Sequence, residues 1–185
     1  EFPNQQDVLR YVLTSNAPET KDNDFTWEEF QSRNNNELVA IYGNFINRVL
    51  VLTHKYYNGI VPKVKILSSK DDEILNLMSE IPEKIGHAIE NYRFREASQI
   101  LMQLARYGNK YLADSEPWKL IKTNPDRVLS IMNTAIQISA GLAVVSRPFL
   151  PNTAKKLNDM LNINILELRW DDISLKKELI PSGHQ

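Results

Sequence analysis

Phe25-Thr26-Trp27-Glu28-Glu29-Phe30 and the unbroken run that follows it to Tyr57 decide the fold class. Thr26 followed three residues later by Glu29 is a capping-box pattern, and Phe25 with Phe30 occupies the two positions of a hydrophobic staple, so a helix is expected to start here. Beyond it only Gly43 weakens the helical pattern, and Asn58-Gly59 supplies a stop. At about 100° per residue, Leu38, Ile41, Phe45, Val49, Leu52 and Tyr56 form one apolar stripe, the expected core face. Arg33, Glu37, Asn44, Arg48 and Lys55 fall along one border of that stripe.

The same period recurs on either side of this run. Asp7 to Leu13 is a short helix, ended by the polar loop around Ala17-Pro18-Glu19. Helices are expected over about Asp71 to Asn91, with Pro82 as a break or kink, and over Phe94 to Ala113. A short helix covers Pro117 to Lys122. Asn124-Pro125-Asp126 then caps a long one reaching Arg147, with proline at its favoured first position. A last short helix covers Thr153 to Leu161, and Leu166, Leu168 and Trp170 alternate in a tail that reads as a packed extended strip. Sustained period-two alternation is absent before that tail. The fold class is all-α, an antiparallel helical bundle of about five helices.

Composition narrows the function. The 185 residues suffice for one domain with a real core, and 22 basic against 23 acidic residues leave a net charge of −1. A global positive field is thereby excluded, and any nucleic-acid contact must be local. Absence of cysteine removes disulfides, thiol catalysis and thiolate zinc sites. His54, His87 and His184 are too scattered for a metal constellation. No apolar run is expected to reach the roughly 20 residues that cross a bilayer. The start, Glu1-Phe2-Pro3-Asn4, reads as the middle of a longer, cytoplasmic protein.

Two features point to a binding site. Glu116-Pro117-Trp118 mounts an indole on the first turn of a proline-started helix, an address that favours solvent or a partner over the core. Asn44 and Arg48, one turn apart on the long helix, direct an amide and a guanidinium to one surface. A large boundary tryptophan and solvated helix-border polar residues are the ordinary alternatives.

Arg33-Asn34-Asn35-Asn36-Glu37-Leu38 through Gly43-Asn44-Phe45-Ile46-Asn47-Arg48, with Asn109-Lys110-Tyr111-Leu112 and Glu116-Pro117-Trp118 about sixty residues later, resembles the anticodon-binding domain of the methionyl-tRNA synthetases. Asp7 to Leu13 and Asp22-Asn23-Asp24-Phe25 are similar to the segment that follows the catalytic signature loop of those enzymes. One departure is Ala40, where many members have asparagine.

The resemblance implies three regions. Residues 1–24 end the linker leading from the catalytic domain, 25–162 form the helical anticodon-binding domain, and 163–185 are a C-terminal tail packed on the bundle. It also implies a partner, the anticodon loop (CAU) of the tRNA for methionine, with no DNA or membrane partner and a monomeric state. The first anticodon base would stack on Trp118 and be read by Asn44 and Arg48. Pro117, Asn109, Lys55 and Arg33 are further RNA-binding candidates, and Arg106, Lys110, Lys119 and Lys122 are candidates for phosphate contacts. No cofactor is expected in this chain, whereas the parent ligase would use ATP and magnesium. The catalytic signatures are missing: Lys84 stands where Ile85-Gly86-His87 would need a first histidine, and Leu67-Ser68-Ser69-Lys70 lacks paired lysines and serves better as a helix start. The anticodon domain of another class I synthetase and a helical protein-interaction scaffold are the alternatives.

Overall fold

In the computed structural model, which describes residues 6–19, 22–164 and 168–185, helices make up all the regular structure among those residues. They are α1 (Gln6–Ser15), α2 (Trp27–Arg33), a π-helical run (Asn34–Gly43), α3 (Asn44–Tyr57), α4 (Ser69–Glu90), α5 (Phe94–Ser115), α6 (Pro117–Leu120), α7 (Pro125–Val145), α8 (Pro151–Met160) and α9 (Trp170–Ser174). The segmentation is finer than the expected five, because short helices turn the chain between the long ones. Pro82 lies inside α4 without ending it.

The signals that start and stop these helices act as their chemistry dictates. Thr26 Oγ1 accepts from the Glu29 backbone N–H at 3.1 Å, and the Phe25 and Phe30 rings lie 6.2 Å apart. Only half of the capping box closes, since the Glu29 carboxylate turns to Arg33 and Asn16 instead. At the start of α4 the Asp71 carboxylate accepts from the Ser68 backbone N–H at 2.9 Å, while the Ser68 hydroxyl accepts from Arg127. Asn124 Oδ1 accepts from the Arg127 N–H ahead of α7. Asn58, at φ 54°, and Gly59, at φ 80°, end α3 in the left-handed region.

The long first helix departs from the α pattern assumed for it. Over Asn34–Gly43 the wider i→i+5 turn replaces the α turn and shifts the angular position of everything after it. The buried face is therefore Tyr42, Phe45, Ile46, Val49 and Thr53, while Leu38, Ile41, Leu52 and Tyr56 are only partly buried.

At the centre of the bundle lies α7, buried throughout from Ser130 to Val145. Contrary to the expectation that no apolar run is long enough, this 21-residue helix could cross a membrane by length and composition; 94% of its apolar window is enclosed by the fold, which marks it as the core helix. Three of its polar side chains each hold an irregular segment. Ser130 Oγ accepts from the Lys65 and Ile66 N–H groups, Asn133 donates to the Pro62 carbonyl, and Gln137 clasps the backbone of Leu179 and Ile180. The residues after 168 consequently lie against the bundle, with Ile173, Leu179 and Ile180 buried. Trp170 opens a helix instead of continuing an extended strip, and Leu166 lies outside the described residues.

Candidate nucleic-acid interface

The site forms where α3 crosses α5. Gly108 makes the crossing close: a Cβ there would stand 2.6 Å from the ring of Phe45, which is fully buried. Each has a polar neighbour in sequence, Asn109 and Asn44, and the crossing brings these within a hydrogen bond. Asn44 Nδ2 donates to Asn109 Oδ1 at 2.9 Å. Asn109 Nδ2 in turn donates to the Ile41 carbonyl at 2.8 Å and to the Ala105 carbonyl at 3.1 Å. Ile41 belongs to the last turn of the π-helical run, so one side chain fastens that run to α5.

Past Ser115 the chain turns abruptly. Glu116 adopts φ 41°, ψ 54°, a left-handed conformation that costs a non-glycine residue about 1–2 kcal/mol. It caps α5 and precedes α6, and its carboxylate pairs with Lys119 at 2.7 Å. Pro117, buried, fixes the first turn of α6 and puts Trp118 at the surface with 37% of its area exposed. Over that indole lies the guanidinium of Arg48, 5.0 Å from the ring, a cation–π contact between α3 and α6.

Five of the seven residues expected from sequence thus meet: Asn44, Arg48, Asn109, Pro117 and Trp118. The other two are engaged elsewhere. Arg33 sits between the carboxylates of Glu29, at 2.9 Å, and Glu37, at 3.6 Å. Lys55 lies on α3 two turns beyond Arg48, with its ammonium over the Tyr56 ring. Among the phosphate-contact candidates, Lys110 pairs with Asp114 and Lys119 with Glu116. Gly108 and the left-handed Glu116 are parts of the site that the sequence reading passed over. An isolated glycine inside an apolar-periodic helix, directly before Asn109, was the available signal for the first.

Asn44 also borders an open groove of about 910 Å³ between the π-helical run, α3 and α8, lined chiefly by apolar side chains such as Leu38, Leu150 and Met160. No group of three or more histidine, aspartate or glutamate side chains suited to a metal occurs among the described residues. The chemistry assembled here is that of a flat aromatic platform, an amide and a guanidinium, which together suit a planar ring with polar edges.

Residues 61–185 match the family described as the anticodon binding domain of methionyl tRNA ligase, and residues 3–50 match tRNA synthetases class I (M). A methionine–tRNA ligase of Christiangramia forsetii is 60% identical over 190 residues, and one of Flavobacterium psychrophilum 58% identical over 185. Each similarity covers 100% of this chain and 27% of the relative, so the chain spans about a quarter of such a protein. The crystal structure of free Mycobacterium tuberculosis methionyl-tRNA synthetase superimposes with a TM-score of 0.88 at 21% identity, covering 96% of this chain and 36% of that one, and so has the same fold. By its family match over residues 61–185, two thirds of its length, the chain belongs to the anticodon-binding domains of the methionyl-tRNA ligases.

Proposed function

We propose that this chain reads the CAU anticodon of the tRNA for methionine, as a monomeric recognition part of a cytoplasmic ligase that joins methionine to that tRNA. The observation that carries the reading is that Arg48 lies over Trp118 at the α3–α6 contact while Asn44, one turn back on α3, is held by Asn109 of α5. Base stacking on an aromatic ring contributes about 1–3 kcal/mol without sequence preference, so Trp118 supplies affinity. Selectivity belongs to the edge-reading pair. The Arg48 guanidinium donates to the carbonyl and ring-nitrogen acceptors of cytosine, and Asn44 addresses its exocyclic amine.

ATP and magnesium belong, in this reading, to the rest of such an enzyme. Residues 1–24 lead from its catalytic domain, 25–162 form the reading domain, and 163–185 close the bundle. Lys122 and Arg106, both exposed, and Lys55, two turns along α3 from Arg48, contribute phosphate contacts and make binding salt-dependent.

The test is anisotropy titration of labelled stem-loops carrying CAU or a changed first anticodon base, at two salt concentrations, with the chain and with Trp118→Ala. The expected result is selective binding to CAU that weakens with salt and falls about tenfold or more in Trp118→Ala. Binding indifferent to the anticodon and unchanged in the variant would show a helical scaffold and overturn the reading.

A further inference from the structure

We infer that Asn109 is a positioning residue that sets the preference of the first-base site for cytosine over uracil, by clamping the Asn44 amide with its oxygen available to the base. The inference rests on the anticodon reading proposed above. Its physical basis is a chain of amides in which each orientation forces the next. Both donors of Asn109 Nδ2 are committed, to the carbonyls of Ile41 and Ala105. Turned over, Asn109 would set its own oxygen against two carbonyl oxygens, so its orientation is fixed. Asn109 Oδ1 then accepts from Asn44 Nδ2, which fixes the second amide. What Asn44, an exposed residue, has left on the oxygen side is an acceptor.

One turn along α3 stands Arg48, which only donates. Asn44 keeps its second N–H on the nitrogen side, but on its oxygen side the pair presents an acceptor beside donors. Cytosine presents the complement, an amine donor beside a ring-nitrogen and a carbonyl acceptor. Uracil replaces the amine by a carbonyl and the ring nitrogen by an N–H, so that an acceptor meets an acceptor and a donor meets a donor. Without Asn109 the Asn44 side chain turns over freely and donates to the uracil carbonyl as readily as it accepts from cytosine. Asn109 acts through Asn44 and need not touch the base.

Dissociation constants for CAU and UAU stem-loops are to be measured with the unaltered chain, Asn44→Ala, Asn109→Ala and Asn109→Ser. Serine retains a bond to the Ala105 carbonyl one turn back and is the milder variant. The expected result is a cytosine-to-uracil preference reduced about tenfold in both Asn109 variants, the scale of one mismatched buried hydrogen bond. Weaker binding of both RNAs with the preference intact would make Asn109 a packing strut and overturn the inference. An unaltered chain without preference, or an Asn44→Ala variant with the preference unchanged, would instead overturn the first-base reading, and this inference with it. Should both variants fail to fold, amide exchange in the unaltered chain decides: the Asn109 side-chain protons are expected to exchange more slowly than those of exposed Asn47, and equal rates would refute the clamp.

Discussion

Gly108 carries the geometry of the site although it has no side chain to contribute. A methyl group there would meet three ring atoms of Phe45 at 2.6 to 2.9 Å, and that ring, enclosed on all sides, has no free space to move into. The crossing helices must separate instead, and overpacking of this kind costs about 1–3 kcal/mol. Gly108→Ala is therefore expected to lower the unfolding free energy by that amount in chemical denaturation and to weaken the Asn44–Asn109 bond beside it. A variant as stable as the unaltered chain would show that the contact is looser than its geometry implies. Arg48→Lys tests the neighbouring contact. A guanidinium stacks flat on an indole and presents a planar fork of donors, whereas an ammonium is a compact point charge. Stem-loop affinity should fall about five- to tenfold, although the charge is kept.

Helix boundaries were legible in the sequence because caps are local chemistry. Thr26, Asn124 and Asn58-Gly59 each satisfy backbone groups within four residues of themselves, as Asp71 does for Ser68, so no tertiary knowledge was needed to place them. The π-helical run was illegible for the opposite reason. Asn34, Asn35, Asn36 and Glu37 offer no apolar period from which its pitch could be read, and what secures the run lies elsewhere in the chain: Asn109, and Ser146, whose hydroxyl pairs with that of Tyr42 at 3.2 Å. The candidate site divides along the same line. Trp118, Asn44 and Arg48 stood out by residue type and spacing, whereas the role of Asn109 and Gly108 exists only once α3 and α5 cross. Local caps should also be separable from the site in experiment. Thr26→Ala removes one cap bond at α2 and is expected to cost about 1 kcal/mol in denaturation while leaving base preference unchanged. A lost preference would mean that α2 and the π-helical run position Asn44 together.

Asp71 ties the start of α4, the first turns of α7 and the last turns of α5 into one unit, and so connects whole-molecule stability to the end of α5 that bears Asn109. Its side chain is fully buried, receives Arg127 through two hydrogen bonds of 2.6 Å each, accepts from the Tyr111 hydroxyl, and caps the Ser68 N–H at 2.9 Å. Burial opposes the charge, but the hydrogen bonds from Arg127, Tyr111 and Ser68 outweigh it, and the carboxyl is held below its ordinary 3.8. The group therefore contributes its full stability above that ordinary value, and the contribution is lost as pH falls toward the depressed folded-state value. Arg127→Met removes the strongest partner and leaves a buried carboxylate, which should cost about 3–5 kcal/mol at neutral pH. It should also reduce the loss of stability in acid. Without the guanidinium the largest hydrogen-bonding contribution to the carboxylate is lost while burial still opposes the charge, so the folded-state pKa rises and acid costs the variant less stability than it costs the unaltered chain. Thermal unfolding of both chains between pH 7 and about pH 4 is the measurement. The gap between the two curves is expected to narrow as pH falls; parallel curves would mean that Arg127 is a surface ion pair of little consequence and that the end of α5 is secured by apolar packing alone.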